Sequence, residues 1–491
     1  MADERNREIV DRWLINKATE QLSSDQQDLG ALYERACRYV NIGELENAIG
    51  DLNTAVQLID VEKEQEPKVL FLAMRAETQE LLGDRESAVN DYTEIISLGD
   101  PEAGVFFRRA YCYRELGAYQ DALIDLDVYL DKEPSDAIAF YNRGLVYLAL
   151  DEITEALRDF DETVRLDAKL DDARRNRGVC QYQLGNYSAA IKDLEVIIKT
   201  HPDDLIALYF RGVSYARTGE LQRAADDFTQ AINLGDQTYN LLIERGTVFR
   251  ALGETSKSLA DIEAAVALDP DESIGYMQRA EVYLALGATA NAVDDYSECL
   301  LLDPENVDAL ISRVGVYFEL GLFKEAISDF DNVVRIDSER GLVYSMRALA
   351  YSELRQFDEA IADFGKAIAL IPDDYKPVYE RGNLYAELGE HNSAIADFTE
   401  SLNRTQDMTT QASILLDRGR SYSKLDMSNN TSDVHYLALE DFREALRLDG
   451  PPDTLHLSDL EIPALLLAMS EPPPGSITSW FKGKLNRLMG K

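Results

Sequence analysis

Ten copies of one 34-residue unit run through this chain in unbroken phase. They begin at Val69, Ala103, Ala137, Asp171, Leu205, Tyr239, Ser273, Val307, Gly341 and Tyr375. Two further copies sit out of phase. One starts at Leu29 and is followed by a six-residue insertion; the other starts at Ala412 and carries about seven extra residues around Met427 to Val434. A fixed period of this size means a stacked array of small units. Each unit buries its apolar face on its neighbours, so the array needs no central core.

Every copy follows one internal grammar, with residues numbered 1 to 34. Position 8 is usually small (Gly144, Gly178, Gly212, Gly382) and position 11 usually aromatic (Tyr113, Tyr147, Tyr215, Tyr351). Position 15 is usually Gly, position 20 usually Ala, and position 24 is Phe, Tyr, Leu or Ile. Position 32 is often Pro, as at Pro134, Pro202 and Pro304. Apolar residues at 4, 8 and 11, then at 20, 24, 27 and 28, have helical spacing. Gly at 15 ends the first helix in a left-handed turn, and Pro at 32 follows the second. Small residues at 8 and 20 let the two helices approach closely.

In these positions the chain resembles the tetratricopeptide repeat family over roughly residues 29 to 450. The resemblance implies an all-α fold: a right-handed α-solenoid superhelix of about twelve helix-turn-helix repeats. It says little about function, because the same fold serves many partners.

Position 7 departs from the family's usual apolar residue. It is Arg in all twelve copies, from Arg35 and Arg75 through Arg211 to Arg418. Position 23 is Asp in all twelve, from Asp51 and Asp91 through Asp227 to Asp441. A joint change in every copy predicts an Arg–Asp pair, between the two helices of a repeat or between neighbouring repeats. A phosphate-binding arginine ladder is the competing reading; the carboxylate available to each Arg favours the structural one.

The formal charge of −41 argues against a nucleic-acid backbone as main partner. The four cysteines, Cys37, Cys112, Cys180 and Cys299, fall in four different repeats, which argues against disulfides and metal sites and for a reduced, cytoplasmic setting. No run is long and apolar enough to span a membrane. The N-terminus lacks a signal-peptide core, so the Asn-X-Ser/Thr triplets are expected to carry no sugar. No GxxxxGK[ST], HExxH or nucleophile elbow occurs, and the four histidines are scattered. The chain reads as a non-enzyme without cofactor or metal.

Along the chain, residues 1–28 are expected to form a capping helix, with Ile9, Val10, Trp13 and Leu14 on its apolar side. Residues 29–450 form the repeat array, with ten copies in phase from 69 to 408. Asp60 to Pro67 and Asp426 to Asp433 read as solvated loops. Residues 451–475 hold a short apolar capping segment and a Pro-rich spacer. Residues 476–491 form a basic amphipathic segment.

The family resemblance also implies where a partner sits. Its concave groove is lined by first-helix positions 2, 5, 6, 9, 12 and 13, which here present Arg108, Tyr111, Arg114, Tyr141, Asn142, Arg175, Asn176, Tyr209 and Arg217. Aromatics mixed with Arg and Asn have hot-spot composition, although the rings could equally pack on one another. Asn142 and Asn176 share position 6, where amides could hold a peptide backbone. Further on the groove turns acidic, with Glu319, Glu353 and Glu387 all at position 13. The leading expectation is a scaffold or adaptor holding a protein partner, as an extended peptide or helix, in this groove. The alternative is a membrane-recruited adaptor. Its C-terminal segment places Ile477, Trp480, Phe481, Leu485, Leu488 and Met489 on one helical stripe, with Lys482, Lys484, Arg487 and Lys491 supplying charge. That segment could contact a membrane, a partner or the acidic part of the array itself.

Overall fold

In the computed structural model of the chain, residues 2–60, 65–99, 101–429 and 432–449 are described. The described residues form helices joined by short turns. They divide into two units, Met1–Glu254 and Thr255–Lys491.

The first unit opens with α1 (Ala2–Ser24). Helix pairs follow: α2 (Leu29–Asn41) with α3 (Leu45–Leu58), α4 (Gln65–Leu82) with α5 (Arg85–Leu98), and α6 (Ala103–Glu115) with α7 (Tyr119–Lys132). Next come α8 (Ala137–Ala149) with α9 (Ile153–Leu166), α10 (Asp171–Gln183) with α11 (Tyr187–Thr200), and α12 (Leu205–Thr218) with α13 (Leu221–Asn233). The unit closes on α14 (Tyr239–Ala251). The second unit begins with α15 (Thr255–Leu268). It continues through α16 (Ser273–Ala285) and α17 (Thr289–Leu302), α18 (Val307–Glu319) and α19 (Phe323–Ile336), then α20 (Gly341–Glu353) and α21 (Phe357–Leu370). It ends with α22 (Lys376–Glu387) and α23 (His391–Arg404), then α24 (Met408–Asn429) and α25 (Ser432–Asp449). The architecture is an all-α solenoid of stacked helix pairs.

Each pair closes on its small position 8. A Cβ at Gly212 would stand 2.5 Å from Phe228 Cε1, and one at Gly144 would stand 2.8 Å from Phe160 Cε1. At these two repeats the position-24 ring occupies the space that a Cβ would need. Position 15 supplies the turn. Gly219 has φ +83°, and Glu220 N–H closes the helix end by donating to Tyr215 carbonyl at 2.8 Å. Asp151 and Arg355 hold the same left-handed conformation without being glycine, at φ 61° and 58°. Burial passes from repeat to repeat, as where Leu194, Ile197, Leu208, Phe228 and Leu241 join one cluster.

The Arg–Asp expectation is met in eleven repeats. Within each, Arg Nε and Nη2 donate to the two oxygens of the position-23 Asp, sixteen residues on in all but the last repeat, as Arg211 does to Asp227 at 2.8 and 2.7 Å. The same fork joins Arg35–Asp51, Arg75–Asp91, Arg109–Asp125, Arg143–Asp159 and Arg177–Asp193 in the first unit. In the second it joins Arg279–Asp295, Arg313–Asp329, Arg347–Asp363, Arg381–Asp397 and Arg418–Asp441. In several repeats the remaining nitrogen also reaches the preceding one. Nη1 of Arg143 donates to Asp127 at 2.7 Å, that of Arg313 to Ser297 at 2.8 Å and that of Arg347 to Asp331 at 2.6 Å. Those acceptors all occupy position 25. One guanidinium therefore ties the two helices of its repeat and staples that repeat to the one before. It also lies over the position-11 ring, as Arg211 does over Tyr215 at 5.7 Å. Bonds to Asp159 foremost push the Arg143 guanidinium pKa up; burial pushes the Asp227 carboxyl up.

Three expectations are corrected. Helix α1 does cover the first repeat, but with another face. Asp11, Ile15, Ala18 and Leu22 are buried, whereas Ile9, Val10 and Trp13 are exposed. Its register is set by polar contacts: Arg35 Nη1 donates to Thr19 Oγ1 at 3.0 Å, and Arg38 pairs with Asp11 at 3.2 Å. Thr19 thus plays position 25 for the first repeat, and α1 stands in for a missing second helix. The loop expected up to Pro67 is already helix from Gln65, where Lys68 is buried and donates to Val56 carbonyl at 2.9 Å. The loop expected over Asp426 to Asp433 is instead mostly helix, because α24 runs on to Asn429 and α25 starts at Ser432. The extra residues lengthen both helices and leave the Arg418–Asp441 fork intact, 23 residues apart instead of 16. The expected segments 451–475 and 476–491 lie outside the described residues.

Candidate functional site

First helices of neighbouring repeats meet directly, α6 with α8, α10 with α12 and α12 with α14. Among the described residues, no second helix packs comparably on the next second helix. The first-helix side is therefore the crowded, inward face of the first unit, and it carries the expected groove residues.

These side chains make several separate contacts, some of which cross from one repeat to the next. Arg108 pairs with Glu77 at 3.2 Å and Glu80 at 3.3 Å on α4. Tyr111 is exposed, with the Arg114 guanidinium 4.9 Å above its ring. Arg114 donates to the Asn142 amide oxygen on α8 and also lies 2.9 Å from Glu115. The Asn142 amide nitrogen donates to Ile138 carbonyl at 2.7 Å. Tyr141 is half-buried against Phe160 at 6.0 Å; burial foremost raises its hydroxyl pKa, and the nearby Asn176 opposes that shift. Arg175 bridges Asp172 at 2.7 Å and Asp204, the N-cap of α12, at 3.0 Å. Tyr209 packs 5.2 Å from Phe210, and its hydroxyl is pushed up to about 12 by burial. Arg217 is exposed and adds charge near Tyr209 and Glu244. Burial raises the Glu244 carboxyl, and Arg217 opposes that shift.

All nine residues lie on first helices, and most are engaged by neighbouring side chains. Both ends of the Asn142 amide are occupied, so a peptide backbone would have to displace Arg114 to use it. Arg108, Tyr111 and Arg217 are the exposed members. The tail residues Trp480, Phe481, Lys482, Lys484, Leu485 and Arg487 lie outside the described residues.

Position 2 carries a signal that sequence reading missed. Leu70, Ile138, Ile206, Ile274 and Leu342 recur at twice the repeat length, and all five are exposed. The copies between them hold Gly104, Asp172, Asn240, Asp308 and Lys376. The pattern is visible only when alternate repeats are compared.

Among the described residues, no group of His, Cys, Asp and Glu is arranged to hold a metal ion. Cys112 and Cys180 are buried, and burial pushes both thiols up to about 12. No described helix is long and apolar enough to cross a membrane.

Tetratricopeptide repeat profiles match residues 74–137, 141–204, 181–237, 243–300, 341–374 and 375–407, together more than half of the chain. The chain belongs to the tetratricopeptide repeat family, which supports a protein-interaction scaffold of generally non-enzymatic kind. No curated protein matches the chain. Among solved structures it is similar to a tetratricopeptide repeat protein from Parabacteroides merdae, at 25% identity over 52% of this chain and 99% of that one, with TM-score 0.37. It is also similar to MamA from Desulfovibrio magneticus, at 19% identity over 35% and 97%, with TM-score 0.33. A third is YrrB, described as a repeat protein with an unusual peptide-binding site, at 18% identity over 44% and 95%, with TM-score 0.28.

Proposed function

We propose that the chain is a scaffold that holds a peptide from a protein partner along the first-helix face of α6, α8, α10 and α12. One observation carries this reading. Aromatic, Arg and Asn side chains recur along the first helices of four repeats, beside the exposed aliphatics Ile138 and Ile206. Apolar anchors beside charged forks can bind a peptide with aliphatic and acidic side chains: the aliphatics seat at position 2, and the carboxylates compete for Arg114 and Arg217. Rigid preorganisation by the existing contacts lowers the entropy lost on binding.

The test uses peptides selected from a displayed random library on the full chain. Tyr111→Ala with Arg217→Ala changes two exposed side chains. It should weaken the selected peptides by at least about tenfold, the ordinary effect of losing hot-spot Tyr and Arg contacts, and leave the melting temperature unchanged. Peptides that bind the double variant as tightly as the parent would move the site elsewhere.

A further inference from the structure

The second unit holds an unpartnered surface of a different kind. On α20, Leu342, Met346 and Leu349 are all exposed. They recur at i, i+4 and i+7, and the exposed Glu353 completes the stripe at i+11. Glu319 on α18 and Glu387 on α22 stand at the same repeat position on either side, both exposed. An apolar floor is thus framed by three carboxylates.

Gly315 on α18 adds an independent observation. It lies inside a helix, where glycine is unfavourable by about 1 kcal/mol against Ala. A Cβ there would meet nothing within 4 Å, unlike the glycines of position 8. No packing inside the array calls for glycine at this point. The open space beside it is on the first-helix face, at the same repeat position as Leu349.

We infer that this surface is a docking seat for a basic amphipathic helix, and that its occupant is the chain's own segment Ser476–Lys491. The chemistry matches on three counts. The segment carries Lys482, Lys484, Arg487 and Lys491 and no acid, in a chain of net charge −41. Its apolar stripe from Ile477 to Leu488 covers eleven residue steps, as does the stripe from Leu342 to Glu353. At 1.5 Å per residue both are roughly 16 Å long. The 26 residues between Asp449 and Ser476 suffice for the distance: a chain of that length reaches roughly 30 Å. The first helices α20 and α24 are two repeats apart, roughly 20 Å at ordinary helix spacing. The docked segment would cover the second unit's first-helix face, and a stronger basic ligand would have to displace it.

Tryptophan fluorescence of the full chain tests this, since Trp13 and Trp480 are its two tryptophans. In a Trp13→Phe background, Trp480 should emit at short wavelength and resist acrylamide quenching, without lipid or partner and at any protein concentration. Glu319→Lys with Glu353→Lys and Glu387→Lys alters only exposed positions. It should lower the docked population at least about tenfold, through three lost charge pairs. Lys482→Glu with Lys484→Glu and Arg487→Glu, added to it, should restore the shielding. Gly315→Leu should expose Trp480 by placing a bulky side chain in that open space, with helix content unchanged. The inference is overturned if Trp480 in the parent is quenched like the free peptide, or if shielding survives both variants. It is equally overturned if shielding arises only with phosphatidylserine vesicles, or only at high protein concentration.

Discussion

The Arg at position 7 makes more than one kind of contact, so its loss should be felt beyond one ion pair. Arg211 sits between Asp227, to which it donates twice, and the Tyr215 ring. Arg211→Leu leaves a buried carboxylate alone, and breaking such a pair from one side costs roughly 3–5 kcal/mol. Burial already raises the Asp227 carboxyl with Arg211 present, and removing the cation raises it further. A folded-state pKa above the unfolded one gives stability that is present at acid pH and lost as pH rises through the folded value. The deficit of Arg211→Leu should therefore shrink from pH 8 to pH 5, measured by urea denaturation. Adding Asp227→Tyr, which restores an apolar pair, should recover most of the loss and its pH dependence; a double variant no better than the single would show the residues uncoupled. Glu244 obeys the same sign. Its raised carboxyl gives up stability as pH climbs above the ordinary glutamate value near ~4.3. Glu244→Gln should be more stable than the parent at pH 7 and level with it at pH 4.

Helix ends and helix interiors offer the next set of tests. Arg355 holds a left-handed turn that glycine fills in most other repeats. An L-residue there costs roughly 1–2 kcal/mol, less for Asp. Arg355→Gly should therefore stabilise the protein by about 1 kcal/mol, and Asp151→Gly by less. Gly365 on α21 stands at position 25, where other repeats offer an acceptor, and Arg381 Nη1 lies 3.9 Å from its notional Cβ. Gly365→Ser should add a staple and helix propensity together, about 0.5–1 kcal/mol. Helices, turns and the Arg–Asp fork were legible in the sequence because each recurs with the repeat. The position-25 acceptor was not, since Asp127, Thr229 and Ser297 share chemistry but not identity. The buried face of α1 was hidden for a different reason. A lone helix with Ile9, Val10 and Trp13 on one side and Ile15, Ala18 and Leu22 on another has no internal cue to its register. Arg35 and Arg38, on the next helix, decide it. At Asp426 to Asn429, loop-like residues yield to the helix already running through α24, since propensity is a weak prior against continuing packing. Groove residues were placed correctly on first helices, but pairings such as Arg114 with Asn142 cross repeats and leave no mark in either repeat alone.

At the scale of the whole molecule, stability is a sum over repeats and the contacts between neighbours. Each fork is local to one repeat or two adjoining ones, and among the described residues no buried cluster spans the array. A lesion in one repeat should then loosen its neighbours and stop there. Gly212→Val is a direct way to make one, because its Cβ would start 2.5 Å from the Phe228 ring. Overpacking of this kind costs roughly 1–3 kcal/mol. Native-state hydrogen exchange should rise in α12 and α13, more weakly in α11 and α14, and stay at parental values in α20 to α23. Urea unfolding followed by exchange should split into two transitions, with only the first moved to lower denaturant. Uniformly raised exchange through both units, with one shifted transition, would mean that the array melts as a single cooperative block.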